Sequence, residues 1–118
     1  MKLDLPELKD GEIYAGAIIN PDGTGNHIVM LDGELADSEW DDAIAWAKEQ
    51  GGDLPSRVEQ ALLFDKLKDR FKEKTYWSSE QHASDSDSAW FQHFYTGDQT
   101  NWTKDTQFQA RAVRRVSI

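Results

Sequence analysis

The sequence contains no cysteine, which removes disulfide frameworks, thiolate metal sites and cysteine nucleophiles from consideration. It also lacks any apolar run approaching the roughly 18 residues of a membrane span, and it opens on the mixed segment Met1-Lys2-Leu3-Asp4 rather than an apolar leader. A soluble intracellular protein with no membrane contact is therefore expected. Positive charge is scarce too: 13 Lys and Arg stand against 22 Asp and Glu, for a net charge of −9. The shortage is local. Residues 1–55 hold 13 acidic and 3 basic side chains, whereas residues 56–118 are close to balanced. Direct phosphate binding by the first half is disfavoured, and its acidity serves solubility or attracts a basic partner.

What is present is aromatic. Five Trp and five Phe in 118 residues are generous for one domain and supply a core. Residues 1–10 mix Leu with charge and Pro6 without a period, and are expected to form a lead-in to a single domain over 11–118. Glu12 to Asn20 reads as a strand whose small residues Ala15, Gly16 and Ala17 predict close packing by another backbone or a large side chain. Asn20 to Asn26 is dense turn chemistry, and His27 to Leu31 is a second strand, so the two form a β-hairpin. Gly23-Thr24-Gly25 is followed by that strand and not by a helix, which argues against a phosphate loop.

Trp40, Ala43, Ile44 and Ala47 recur at helical spacing after Asp37 or Ser38 as N-cap, and Gly51-Gly52 ends this helix. Trp46 lies off the stripe. A second helix starts at Ser56, where Glu59 three residues on completes a capping box. Leu63, Phe64, Leu67 and Phe71 share an arc of about 100° and predict its buried face, while the Lys and Arg of its C-terminal half complement the dipole. Thr75 to Ser79 opens a strand, Glu80 to Ser88 is polar, Ala89 to Tyr95 alternates as a half-buried strand, and Ala110 to Val116 is the closing strand.

Three constellations bear on chemistry. His82, Asp85 and Asp87 have metal-ligand character, and Asp85-Ser86-Asp87-Ser88 begins like a calcium loop; however, Trp90 occupies the position that requires glycine, and a solvated loop without metal is expected. His93 is a candidate general base without a partner placed by the sequence. Trp102, in Asn101-Trp102-Thr103-Lys104, is an aromatic in a polar stretch, the pattern of a binding anchor or of a plug for the sheet.

Trp40 to Ala47, then Gly51-Gly52-Asp53-Leu54-Pro55-Ser56-Arg57 with Glu59, then Tyr76-Trp77-Ser78-Ser79, Ala89-Trp90 with Phe94 and Gly97, and Arg111-Ala112-Val113-Arg114-Arg115 together resemble the DUF1566 domain family in its short phage and prophage form. The likeness spans roughly residues 11 to 117. It implies an α+β, C-type lectin-like fold: an N-terminal β-hairpin, two helices and a small twisted antiparallel sheet whose closing strand returns beside the first. Trp77 and Trp90 match core positions and are expected to be buried. The paired Cys and the calcium-binding triplets of sugar-binding lectins are missing. By analogy with the ligand face of lectin-like folds, Gln81, His82, Asp85, Asp87, Gln92, Tyr95, Asp98, Asn101 and Trp102 are the expected binding surface. The expected function is non-enzymatic and cofactor-free: a module that engages a protein partner through its 80–106 loop face, in the cytoplasm of a bacterial host or with the virion. The alternative is an acidic anti-defence inhibitor that imitates nucleic-acid charge with Asp37, Glu39, Asp41, Asp42, Glu49 and Asp53.

Overall fold

The computed structural model describes residues 4–118; the first three residues of the expected lead-in lie outside the described residues, and the rest of it, to Asp10, carries no strand or helix. Among the described residues the chain is α+β, with two α-helices and eight strands in two sheets. The predicted hairpin is present as β1 (Ile13–Ile19) and β2 (Gly25–Met30). Its turn closes through Asn20 N to Thr24 O at 2.6 Å, with the Asp22 carboxylate accepting from the Thr24 amide and hydroxyl. The small residues of β1 admit a neighbour as expected. A bulge falls between Tyr14 and Gly16, and Leu62 comes so near that a Cβ on Gly16 would stand 3.3 Å from it.

The first helix, α1 (Trp40–Glu49), begins later than its sequence suggests: Glu39 occupies the N-cap without a side-chain cap bond. Asp37 and Ser38 belong instead to a short strand, β3 (Leu35–Ser38), because Ser38 donates its hydroxyl to Phe108 O and its own carbonyl accepts the Trp77 indole N–H at 2.8 Å. Gly51, at φ +88°, terminates α1 in the left-handed conformation that favours glycine. In α2 (Arg57–Leu67) the capping box is complete, with Glu59 N to Ser56 Oγ at 3.1 Å and Ser56 N to Glu59 Oε1 at 2.8 Å. The helix stops at Leu67 and a 3₁₀ turn over Lys68–Arg70 carries the chain to buried Phe71.

The remaining strands are β4 (Thr75–His82), β5 (Asp85–His93), β6 (Gln99–Thr103), β7 (Phe108–Ala110) and β8 (Val113–Ser117). One sheet has the order β1-β2-β8, the other β3-β7-β4-β5-β6. Two expectations are corrected here. The closing strand lies beside β2, the second strand, and not beside the first. His27 to Met30 of β2 are all buried, so the strand richest in buried side chains takes the centre and is paired on both edges. The larger sheet is also not wholly antiparallel, since β4 meets β7 in parallel at Tyr76 and Gln109.

Strand β4 divides the interior. Trp77 faces a cluster with Leu31, Ala43, Ala47, Leu54 and Phe91, against which Trp40 and Trp46 also pack. Its neighbour Tyr76 faces a second cluster with Ile28, Met30, Leu63, Phe71 and Phe94. Adjacent strand residues point to opposite faces, so one dipeptide anchors both cores. In the second, Phe71 stacks on Phe94 at 3.9 Å and Tyr76 meets both edge-on.

Candidate functional site

The segment expected to be a loop face is mostly sheet. From Thr75 to Thr103 the chain forms a meander of β4, β5 and β6, with a tight tip between His82 and Asp85 and a turn over residues 94–98. Nine expected site residues are thereby distributed over two faces and two ends. Gln81 and Trp102 both lie opposite Ala89 and share its face, while Asn101 lies opposite Trp90 on the other. His82, Asp85 and Asp87 sit at the β4–β5 tip, and Tyr95 and Asp98 at the far turn. Eight residues of extended chain between Asp87 and Tyr95 correspond to about 25 Å.

Gln92 is corrected outright. It is 1 % exposed, because its place on β5 opposite Tyr76 and Gln99 sends it under α2. There its Nε2 donates to Gln60 O at 3.0 Å and its Oε1 accepts from Gln99 Nε2 at 2.7 Å. Trp90, expected in the core, is only half-buried. The Arg57 guanidinium lies 3.5 Å above its ring and His82 stacks against it at 5.5 Å. Arg57 is fixed by Nε to Gln99 Oε1 at 3.1 Å, and Gln99 returns a bond to Arg57 O at 2.7 Å. Arg57, Gln92, Gly97 and Gln99 line a shallow groove of about 530 Å³.

At the tip, the Asp85 carboxylate accepts from the Asp87 amide at 3.0 Å and the Ser88 hydroxyl at 2.9 Å, and these bonds, the amide first, hold its carboxyl below the usual range. His82 Nδ1 meets Ser84 N at 3.2 Å. Among the described residues no three His, Asp or Glu side chains stand close enough to hold a metal ion. His93 packs against Phe91 at 5.7 Å, and its amide donates to Asp98 O.

Exposure singles out two aromatics, Tyr95 at 62 % and Trp102 at 61 %. Trp102 is on β6, the edge strand, and not in a loop. Beside it Lys104 donates to Gln81 Oε1 at 2.6 Å and lies 4.6 Å from the Trp40 ring. At this end Glu39, Asp41, Asp87 and Asp105 surround Lys104 in a second groove. Of the charge-mimic residues, Asp53 is bonded to Lys48 and Arg115, so its charge is largely answered within the fold.

The residues that sequence reasoning missed are Arg57, Gln99 and Lys104. Gln99 was within reach of the two-residue strand period that places it beside Asn101. Arg57 had no local signal, since its partner Gln99 is 42 positions away.

No protein-family model matches the chain, and no curated protein matches it. No helix among the described residues is long and apolar enough to cross a membrane.

Proposed function

We propose that this protein is a non-enzymatic binding module of the phage type, C-type lectin-like in its architecture and related to the DUF1566 proteins its motif order resembles, and that it engages a protein partner through the region 80–106. The bacterial cytoplasm is its place of action, with association to the virion as the variant of that reading. The observation that carries the proposal is Trp102: a large aromatic, 61 % exposed, on an edge strand. Exposed Trp residues at the centre of a polar surface are the usual anchors of protein interfaces. Gln81 shares its face and Asn101 its strand. Tyr95 and Asp98, a strand length away from the tip, belong to the margin of such an interface or to a separate contact.

A second reading is favoured by the groove around Lys104, where Glu39, Asp41, Asp87 and Asp105 gather. Such an acidic surface suits an anti-defence inhibitor that imitates nucleic-acid charge. The two readings respond differently to salt. Contacts between exposed charges are screened within about 8 Å at physiological ionic strength, whereas a Trp-anchored interface tolerates added salt.

Affinity capture from the bacterial host separates them, using the wild type, Trp102→Ala, and Asp41→Lys with Asp42→Lys. Loss of a specific partner with the Trp change alone supports the binding module. Loss with the charge reversal alone, and in high salt, supports the inhibitor. Capture of no partner by any of the three overturns both.

A further inference from the structure

We propose that the outer edge of β6 receives an extended segment of the partner protein as a sixth strand of the larger sheet, the segment carrying a basic residue at its amino end and a carboxylate at its carboxyl end. This rests on the reading of the 80–106 region as the partner-binding face and specifies how that partner is held.

Strand β6 is last in its sheet and pairs with β5 through five consecutive residues without a shift. The phase of the ladder follows from two bonds, Lys104 N to Asp87 O at 2.9 Å and His93 N to Asp98 O at 2.8 Å. Hydrogen-bonded pairs alternate along an antiparallel ladder, so Thr100 and Trp102 direct their main-chain groups into the sheet. Gln99, Asn101 and Thr103 direct theirs outward. A row of unpaired amides and carbonyls is a template for another strand unless something blocks it.

The Thr103 carbonyl accepts the Thr106 amide at 3.1 Å, and nothing else in β6 blocks the row. Gln99–Thr103 contains no proline and no charge and carries no bulge. The other sheet edges are guarded. β1 is bulged at Ala15, β3 is only four residues long, with a register shift and Asp37 at φ 46°, and β8 carries Arg114 and Arg115. The unguarded edge is therefore also the one that displays Trp102.

Charge identifies the occupant. At the Thr103 end, Glu39, Asp41, Asp87 and Asp105 form the acidic groove around a Lys104 already engaged by Gln81 and Trp40. At the Gln99 end, Arg57 lies 3.5 Å over the Trp90 ring with its Nε bonded to Gln99, and its two terminal nitrogens have no partner among the described residues. A guanidinium tethered through Nε with both terminal NH₂ groups free is prepared for a carboxylate. An antiparallel segment places its amino end at Thr103 and its carboxyl end at Gln99. Strand addition of this kind takes affinity from main-chain bonds and selectivity from side chains at the ends. A second copy is a poorer occupant: each chain has a net charge of −9, and its Lys104 is already bound.

The test uses a synthetic end-capped peptide of alternating Val and Thr with Lys at the amino end and Glu at the carboxyl end, its charge-reversed counterpart, and a version N-methylated on alternate residues. Titration followed by amide hydrogen exchange should show slowed exchange at Gln99, Asn101 and Thr103 and no change at Thr100 and Trp102. Asn101→Pro should abolish binding while Asn101→Ala retains it, because the lost N–H faces outward and proline is tolerated at such an edge position. Arg57→Gln and charge reversal of the peptide should each weaken binding about tenfold. The N-methylated peptide should not bind, a result independent of how well the proline variant folds. Equal binding by the N-methylated peptide, absence of slowed exchange, or a wild-type dimer that disappears in Asn101→Pro would overturn the proposal. Should a partner captured from the host depend on Trp102 yet ignore Asn101→Pro, strand addition falls and the binding-module reading stands; absence of any Trp102-dependent partner defeats that reading itself.

Discussion

Arg115 on β8 grips Glu59 on α2 with two bonds, Nε to Oε2 at 2.6 Å and Nη2 to Oε1 at 2.8 Å. Glu59 is the same residue that closes the capping box on Ser56, so one carboxylate starts a helix and fastens the last strand to it. Glu59→Ala should destabilise the protein by about 3 kcal/mol, because it removes a nearly buried partner from Arg115 and uncaps α2. Urea unfolding of Glu59→Ala, Arg115→Ala and the double variant checks this, with an expected coupling of about 2 kcal/mol between the two sites.

Tyr76 donates its hydroxyl to the Glu34 carboxylate and accepts the Lys72 amide at 3.0 Å. Burial first, and then the Glu34 carboxylate, push its phenol above the ordinary value of 10.0. The fold therefore holds the proton more tightly than the unfolded chain does. Its contribution to stability is complete below pH 10 and is lost as pH rises from there toward the folded value. The thermal midpoint of the wild type should fall in that alkaline window, and Tyr76→Phe should flatten the fall at a cost of about 1–2 kcal/mol at neutral pH.

Glu12 and Arg114 meet at 2.9 Å across the first sheet, and the hydrogen bond from Arg114 lowers the Glu12 carboxyl below its ordinary 4.5. For a carboxyl with a depressed folded value the sign is opposite to that of Tyr76. The stabilisation is present above about pH 4.5 and disappears as pH falls through the folded value. Glu12→Gln should lower stability at pH 7 and reduce the slope of the acid limb, measured as denaturation midpoints between neutral pH and the acid transition.

Trp77 is fully buried, packs edge-on against Phe91 at 6.2 Å and donates to Ser38 O. Trp77→Phe should cost about 3 kcal/mol, from a cavity and an unpaired carbonyl together. Calorimetry should show the loss in the same transition that reports the rest of the fold.

Trp102→Ala, by contrast, should leave the unfolding free energy within about 0.5 kcal/mol of wild type, since most of the side chain is in water. Partner binding should fall by at least about tenfold. A large loss of stability would show that this residue plugs the sheet.

The local parts of this molecule were legible from the sequence alone. Alternation and turn residues mark the hairpin, helical spacing marks α1 and α2, and Ser56 with Glu59 marks a helix start; each is set by neighbours within four residues, where backbone geometry dictates who meets whom. The partition of the candidate site was not legible. Gln92 looked like a surface residue because its polarity is visible in the sequence and its register is not. Register decides that it lies under α2, on the face it shares with Trp90, Gln99 and Asn101. Trp90 looked like core for the opposite reason, its size being visible and the guanidinium that covers it being remote. The sequence determined the hairpin, the two helices and the acidity. It did not determine β3, β6 or β7, nor the division of the expected closing strand Ala110–Val116 between β7, which ends at Ala110, and β8, which starts at Val113. The tertiary structure alone decided that β8 joins β2, that Glu59 serves two elements, that Arg57 is set on Trp90 and that β6 is left with an open edge. Those outcomes depend on pairings tens of residues apart, fixed by how whole faces pack and by which strand edges find a partner.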